Sequence, residues 1–509
     1  MTTSHTNLPI VVDRADGEPL AAQVSAQVRT AVTDGVLHAG DRLPSTRDLA
    51  ATLGVSRTVV TTAYASLFAE GWLEGRHGSG TYVADVAPAP AAPAHARARA
   101  HAAADDCDIQ PPMTGSLSHS SGASSGTARE LIELRPGVPW AAGIDPAAWR
   151  RAWRYAGTQP PSPWPDPHGL PGLRTELAAY LRRSRALSVS PQDVLVTRGV
   201  SGGLSLLAAA LIRPGDKAGV EEPGYPAARE VLARAGAQVV PCRVDAHGVI
   251  PEELPGDLKL LYTTPAHQYP LGGRLPVGRR QALTAWARKT CATVVEDDYD
   301  SEFRYDVGPL PALYSMDPEA IVYLGTASKA LTPTFGVGWL VASNTLTQRI
   351  AQLRPNLGER VPEPPQHALL ALLASGDLER HIRKMRLEYG RRRAALVEAL
   401  SAPSYRLLGD TAGLHVVLEL PPGVTPKRVV SEAATRGVGL HELDRYFAGP
   451  PAISGLMLGY GATPLTQVRR AAAVLSQLLT DLRPGSPAPQ PWPAGRGTPA
   501  REPAARAAR

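Results

Sequence analysis

The sequence of 509 residues predicts two folded parts, a small helical head and a larger α/β body. In the head, apolar residues recur every four positions and two short strands follow. In the body, short runs of β-branched and aliphatic residues alternate with helical segments. Two further stretches contain hardly any large apolar residue, so they cannot bury enough surface to fold. We therefore expect a head at 16–85, a flexible linker at 86–128, a body at 129–482 and a disordered tail at 483–509.

The head has the pattern of three helices followed by a β-hairpin. Small polar residues are placed to cap the second and third helices, and a glycine follows each of them. The residues that mark these elements are the apolar face Leu20, Val24, Val28 and Val32, the caps Ser45 and Ser56, the glycines Gly54 and Gly71, and the strands Trp72–Glu74 and Thr81–Val83. Three helices and a hairpin in this order predict a winged helix-turn-helix.

The body is expected to contain a mostly parallel sheet, because its apolar runs alternate with helical segments. Five runs are candidates for buried strands: VLVT (194–197), KLLYTT (259–264), TVVED (293–297), IVYLGT (321–326) and GWLVAS (338–343). Chemistry in such folds lies at the carboxyl ends of the strands. From about Pro403, GLHVVLEL and GLMLGYG resemble strands flanking helices, which predicts a small C-terminal α+β subdomain.

The net charge of +6 does not by itself indicate nucleic-acid binding. The tail at 483–509 contributes five Arg against one Glu, whereas residues 1–85 carry six Arg and nine acidic residues. DNA binding must therefore be argued from motif and local geometry.

Three widely spaced cysteines, Cys107, Cys242 and Cys291, indicate neither a disulfide framework nor a zinc site, so no metal is expected. The first residues lack the basic and apolar regions of a signal peptide, and the longest apolar run is too short for a bilayer. We expect a soluble cytoplasmic protein that does not bind membranes.

The segment LPSTRDLAATLGVSRTVVTTAYASLFAEGWLEGRHGSGTYV (43–83) resembles the GntR-type winged helix over its full length. The resemblance implies double-stranded operator DNA as a partner. The residues it places at DNA are Arg47, Ser56, Arg57, Thr58 and Thr61 on the helices, and His77 and Gly78 in the wing. An arginine can hold a guanine edge or a phosphate with two hydrogen bonds, and hydroxyls at a helix N-terminus suit phosphates. Taken singly, Arg47 and Arg57 could be solvated charges and Ser56 a cap.

Four blocks of the body, EEPGYPAAR, TTPAHQYPLGG, EDDYDSEFRY and YLGTASKAL, resemble the fold-type-I aminotransferase domain of MocR-type regulators. The resemblance covers about residues 130–480 and implies pyridoxal 5'-phosphate (PLP) as cofactor. Lys329 follows a strand and could form a Schiff base, because a partly desolvated ammonium loses its proton readily. Asp297 could pair with the pyridine nitrogen, and Tyr299 could donate to the phenolic oxygen. Alternatively, Lys329 is a surface lysine and DDYD is a solvated turn or a weak cation site.

Other residues match cofactor positions of the family. Tyr225 stands where a ring lies against the pyridine, although a loop tyrosine closing a turn would look the same. His267 and Gln268 lie near the place of an asparagine that contacts the ring. The expected phosphate contacts are the backbone amides of Gly199, Val200 and Ser201 and the hydroxyls of Thr326 and Ser328.

The chain departs from the family pattern at two positions. Gly336 stands seven residues after Lys329, where an arginine usually holds the phosphate. Losing such a contact should weaken cofactor binding by about 1.5–3 kcal/mol, roughly 10- to 150-fold. Met457 stands about where many aminotransferases carry an arginine for the substrate carboxylate. We therefore expect transaminase activity on standard amino acids to be weak or absent.

Together these features predict a PLP-dependent transcriptional regulator that senses an amino compound. A homodimer is expected, since aminotransferase folds of this type build their active sites at a dimer interface. Two alternatives stay open: an active aminotransferase with a DNA-binding appendage, and a regulator that has lost PLP and binds another ligand.

Overall fold

The computed structural model describes residues 10–14, 18–76, 80–85, 131–306, 310–401, 405–409 and 411–482. The expected linker, the expected tail and the wing residues His77 and Gly78 lie outside these ranges. Among the helices described, none is both long and apolar enough to cross a membrane.

The head folds as three helices and a two-stranded antiparallel hairpin. Its elements are α1 (Leu20–Thr33), α2 (Thr46–Leu53), α3 (Arg57–Glu70), β1 (Leu73–Arg76) and β2 (Gly80–Val83). The Ser45 side chain caps α2 by accepting from the Asp48 amide, as predicted. Ser56 is the N-cap residue of α3, but its side chain makes no capping hydrogen bond. The apolar faces of α1 and α3 form the core of the head.

The large domain contains an eight-stranded sheet in the order β4-β11-β10-β9-β8-β5-β6-β7. Strands β10, β9, β8, β5 and β6 are parallel neighbours, whereas β11 and β7 run antiparallel to theirs. The strands from the start of this domain are β3 (Ile132–Glu133), β4 (Val194–Thr197), β5 (Lys217–Glu222), β6 (Gln238–Asp245), β7 (Gly248–Val249), β8 (Leu258–Thr263), β9 (Thr293–Asp298), β10 (Ile321–Thr326) and β11 (Gly338–Val341). The five predicted strands are present with ends shifted by up to two residues, and β5 and β6 were not predicted.

Helices cover both faces of this sheet, and each face has its own apolar core. They are α4 (Pro146–Thr158), α5 (Pro171–Arg185), α6 (Gly199–Leu211), α7 (Pro226–Arg234), α8 (Val277–Thr290), α9 (Asn344–Leu353), α10 (Glu363–Ala374) and α11 (Asp377–Leu400). Burial on both faces explains why the central strands are largely apolar, although β9 ends in the acids Glu296, Asp297 and Asp298.

A smaller C-terminal unit contains a four-stranded sheet in the order β12-β13-β16-β15. Its elements are β12 (Arg406–Leu408), β13 (His415–Glu419), α12 (Pro426–Thr435), β14 (Val438–Gly439), β15 (His441–Glu442), β16 (Gly455–Gly459) and α13 (Leu465–Asp481). The predicted α+β subdomain is therefore present, and β14 pairs with β3 of the preceding domain.

The head contacts the large domain at the start of α8. Val277 is 3% exposed and belongs to the apolar core of the head. A Cβ added at Gly71 would lie 3.7 Å from the Pro276 side chain, so the end of α3 is close to this turn. Arg280, in the same turn, donates to the carbonyls of Leu275 and Pro311. The winged helix is therefore docked on the domain that carries the candidate site.

Candidate functional site

Lys329 lies just beyond β10 at the edge of the sheet where the parallel strands end. Its Nζ donates to the Gly137 carbonyl at 2.6 Å. Burial lowers the pKa of Lys329 from its usual value, while the charges of Asp300 and Asp297 act in the opposite direction. A lysine with a lowered pKa keeps more of its amine neutral and nucleophilic.

Asp297 lies near the end of β9, the parallel neighbour of β10. Its Oδ2 accepts a hydrogen bond from the Tyr262 hydroxyl, whereas its buried Oδ1 has no hydrogen-bond partner among the described residues. Burial raises the pKa of Asp297 to about 7, against the effect of the Tyr262 bond. A buried carboxylate oxygen without a partner is costly, so this position suits a ligand that brings an N–H donor.

The next acidic residue has a different role. Asp298 accepts from the Arg185 guanidinium and from the Tyr323 hydroxyl, both buried. Its Oδ2 is therefore held by a buried guanidinium and a hydroxyl within the protein, whereas its Oδ1, like that of Asp297, has no hydrogen-bond partner among the described residues. Among the described residues, no group of three or more His, Cys, Asp or Glu side chains is arranged to hold a metal ion.

Tyr299, His267 and Asp300 form a buried cluster beside Lys329. His267 Nδ1 lies 3.0 Å from Asp300 Oδ2 and 2.9 Å from the Tyr299 hydroxyl. An ionised carboxylate only accepts, so Nδ1 donates its proton to Asp300 and the Tyr299 oxygen can at most share that proton. The hydroxyl hydrogen of Tyr299 then stays available for another acceptor, which is compatible with the predicted bond to a phenolic oxygen.

The predicted phosphate contacts lie together at the start of α6. A Cβ on Gly199 would be 3.9 Å from Thr326 Oγ1, and this oxygen accepts from the Ser328 amide at 3.1 Å. Val200 and Ser201 complete the half-buried first turn of the helix. A Cβ on Gly338 would come within 2.7 Å of the Gly199 Cα, so only glycine at 338 allows the helix to approach β11 so closely.

Tyr225 connects the two groups of residues. The Ser201 side chain is hydrogen-bonded to Tyr225, and burial raises the pKa of this tyrosine. Its ring is stacked on that of Tyr262 with centroids 6.4 Å apart, and Tyr262 in turn donates to Asp297. The structure thus brings all ten predicted cofactor residues to one edge of the sheet, while their roles stay predictions.

Gln268 is hydrogen-bonded to the loops around it. Its amide donates to the Pro223 carbonyl at 2.9 Å and to Glu221 at 3.2 Å, and its oxygen accepts from the Leu271 amide. Glu221 also accepts from both Thr263 and Thr264. These bonds give Gln268 a structural role, while its suggested polar contact with a cofactor ring stays a prediction.

Gly336 and Met457 occupy the two unusual positions. Gly336 has a φ of +65°, and a Cβ added there would have only the Thr334 carbonyl oxygen, at 4.0 Å, within reach. There is space for a side chain, but the left-handed backbone conformation disfavours one. Met457 is fully buried on β16 and provides no charge.

Sequence reasoning missed Asp300 and His415. Asp300 belongs to the quoted EDDYDSEFRY block, where only two residues were assigned. His415 was included in a predicted strand, GLHVVLEL, but was not assigned to the site. An unusual imidazole at a strand start was the available signal.

The predicted DNA-facing residues form an exposed surface on the head. Arg47, Ser56, Arg57, Thr58 and Thr61 are all exposed on the first turns of α2 and α3. Arg57 Nε donates to Thr46 Oγ1 at 3.3 Å, which places the starts of the two helices side by side. His77 and Gly78 lie outside the described residues, so the wing contacts stay predictions.

Comparisons with known proteins match both parts of the chain. Residues 141–438 match the family described as aminotransferase class I and II, and residues 20–83 match the bacterial regulatory proteins of the gntR family. The chain is 37% identical over 477 residues to the HTH-type pyridoxine biosynthesis transcriptional regulator PdxR of Corynebacterium glutamicum, covering 93% of this chain and 99% of that protein.

The chain belongs to the MocR-type regulators of the GntR family. It is also 32% identical over 467 residues to the probable rhizopine catabolism regulatory protein MocR of Rhizobium meliloti, covering 90% and 93% of the two chains. Among solved structures, an archaeal alanine:glyoxylate aminotransferase superposes with a TM-score of 0.65 at 26% identity, covering 70% of this chain and 92% of that one. This MocR-type chain is therefore an HTH-type transcriptional regulator with an aminotransferase-like domain, a family whose aminotransferase fold is PLP-dependent.

Proposed function

We propose that the aminotransferase-like domain holds PLP at Lys329 and that an amino compound arriving there changes how the heads bind operator DNA. The observation that carries this proposal is the unpartnered, buried Oδ1 of Asp297. It lies close to a lysine of lowered pKa, and this acceptor and this nucleophile are the groups that the protonated pyridine nitrogen and the aldehyde of PLP require.

Each residue of the candidate site would contact a different part of the cofactor. Asp297 would accept from the protonated ring nitrogen, and Tyr225 would lie against the ring. The first turn of α6 with Thr326 and Ser328 would hold the phosphate, and Tyr299 with His267 would hold the phenolic oxygen. When bound, PLP supplies an aldehyde that reacts reversibly with amines. Lys329 provides the competing amine, kept partly neutral by its burial.

The regulator would act in the cytoplasm as a homodimer with two heads. Two linked heads on one operator gain affinity through effective concentration. A ligand that binds one domain arrangement better than another shifts the population of arrangements, and with it the spacing of the heads.

A second candidate signal is PLP itself. Two observations favour it: the name of the Corynebacterium relative concerns pyridoxine biosynthesis, and Gly336 removes a contact that would otherwise hold the phosphate. A cofactor held weakly would leave and return as its free concentration changes, so occupancy would report that concentration.

The test is a spectroscopic one on the full-length protein. Incubation with PLP should give a visible absorbance band, and borohydride reduction should fix a pyridoxyl group on Lys329, located by peptide mass analysis. Lys329→Ala should lose the label, whereas the exposed control Lys289→Ala should keep it. Wild-type protein that stays colourless and unlabelled in saturating PLP would contradict the proposal.

Gel shifts on DNA selected from a random pool by the protein then distinguish the two signals. If PLP alone changes the affinity, PLP is the signal. If the PLP-loaded protein responds only when an amine is added, the amino compound is the signal.

A further inference from the structure

One imidazole beside the candidate site has an unused acceptor. His415 begins β13 and is 3% exposed. Its Nε2 lies 2.9 Å from the Pro270 carbonyl oxygen, and because a carbonyl only accepts, Nε2 carries the proton. Burial lowers the pKa of His415 to about 4, so the ring is neutral near pH 7. Nδ1 is then an acceptor, and in the described part of the chain no donor reaches it.

His415 belongs to the wall that the small domain contributes to the site. Its ring centroid is 5.5 Å from that of His267 and 5.5 Å from that of Tyr269. The charges of Asp300 and Lys329 both act on its pKa, which places it within the electrostatic reach of the lysine. Leaving such an acceptor buried and unpaired is unfavourable, so the position suits a ligand that donates a hydrogen bond.

Met457 lies on the same face of the small sheet. His415 is paired with Gly459, and two residues further along β13, Val417 is paired with Met457. Residues two apart on a strand share a face, as do directly paired residues. The two positions therefore place a hydrogen-bond acceptor and an uncharged thioether on one face of the sheet, which His441, paired with Met457, shares.

We propose that His415 Nδ1 accepts a hydrogen bond from the sensed ligand, and that this ligand is an amine whose far end carries a hydroxyl group and not a carboxylate. The inference rests on the proposed function, because the amine reaches this wall by reacting at the cofactor site. A carboxylate placed against Nδ1 would meet another acceptor lone pair and would lose hydration without gaining a hydrogen bond from it. A hydroxyl donates to Nδ1 and needs no counter-charge.

Three amines with the same carbon chain length test this on the PLP-loaded, full-length protein: 3-amino-1-propanol, β-alanine and propylamine. Binding is followed by visible absorbance and independently by calorimetry. The amino alcohol should bind about 2- to 12-fold more tightly than propylamine, the range expected for one neutral hydrogen bond, and β-alanine should bind more weakly than both.

The variants separate a ligand contact from a structural role. His415→Phe should remove the advantage of the amino alcohol over propylamine, and His415→Gln, which keeps an acceptor, should retain part of it. Met457→Arg should shift the preference toward β-alanine.

Two results would overturn the inference: wild-type protein that prefers β-alanine, or a Phe variant that keeps the advantage of the amino alcohol. Borohydride labelling of Lys329 in the same preparation shows which of the two proposals has failed. An unlabelled lysine overturns the proposed function together with this inference, whereas labelled protein with no amino-alcohol preference overturns the inference alone.

Discussion

Gly336 allows the phosphate contact to be tested by adding one. A side chain at this position has open space, but the φ of +65° imposes a cost of roughly 1–2 kcal/mol on any residue other than glycine. A charge-assisted, bidentate contact with phosphate is worth about 1.5–3 kcal/mol. Where this backbone cost arises only when the arginine engages the phosphate, the net effect of Gly336→Arg on PLP affinity ranges from about 2-fold weaker to about 30-fold tighter binding, less than the contact alone would give.

Gly336→Gln is the matched control, because it has the same backbone strain and a long polar side chain without the charge. The dissociation constant of the Gln variant should exceed that of the Arg variant by roughly 10- to 150-fold for PLP. The difference should vanish for pyridoxal, which lacks the phosphate. Absorbance titration with both ligands measures it. Equal PLP affinities for the Arg and Gln variants would show that a side chain at 336 does not reach the phosphate.

Three further expectations concern the head, the docking contact and pH. Arg47→Ala and Arg57→Ala should each weaken operator binding by about 1–3 kcal/mol per half-site. In gel shifts at two salt concentrations, the exposed control Arg150→Ala and a deletion of 483–509 should both keep the preference for operator over random DNA. A loss of this preference in the deletion alone would refute the assignment. Val277→Asp should release the head from the large domain, because it removes about 1.5–3 kcal/mol of apolar burial, and hydrogen exchange of the amides in 276–284 should then rise. The control is Val36→Asp, at a site that is 55% exposed. Unchanged exchange in the Val277 variant would contradict the docking. Because burial raises the folded-state pKa of Asp297 to about 7, the native state keeps a proton that the unfolded state releases above about pH 4, and the unfolding free energy of PLP-free protein should fall as pH rises from 4 to 7. Asp297→Asn should reduce that fall, measured by urea unfolding, by at most about 4 kcal/mol. An identical pH dependence in the wild-type protein and the variant would contradict the burial effect.

Residues whose roles follow from local pattern could be predicted from the sequence. The capping residues and glycines of the head predicted the ends of α2 and α3 to within one residue, because capping acts within a single turn. The strands at 194–197 and 321–326 have the predicted first and last residues, because they are apolar runs buried on both faces of the sheet. Strand β6 was missed because four of its residues are polar, charged or proline, a composition that fits an edge of the sheet.

The role of His415 could not be predicted, because it depends on a contact between distant segments. Its bond partner, Pro270, is 145 residues away in the chain and belongs to another domain. Alternation along β13 shows that His415 and Val417 share a face, but not which face meets the large domain. The same limit applies to Asp297 and Asp298, which are adjacent acids in one strand and point to opposite faces of the sheet. Only the three-dimensional arrangement, with Arg185 and Tyr323 on one side and Tyr262 on the other, shows that Asp298 is engaged in a buried ion pair, whereas Asp297 has one hydroxyl partner and lies within the electrostatic reach of Lys329.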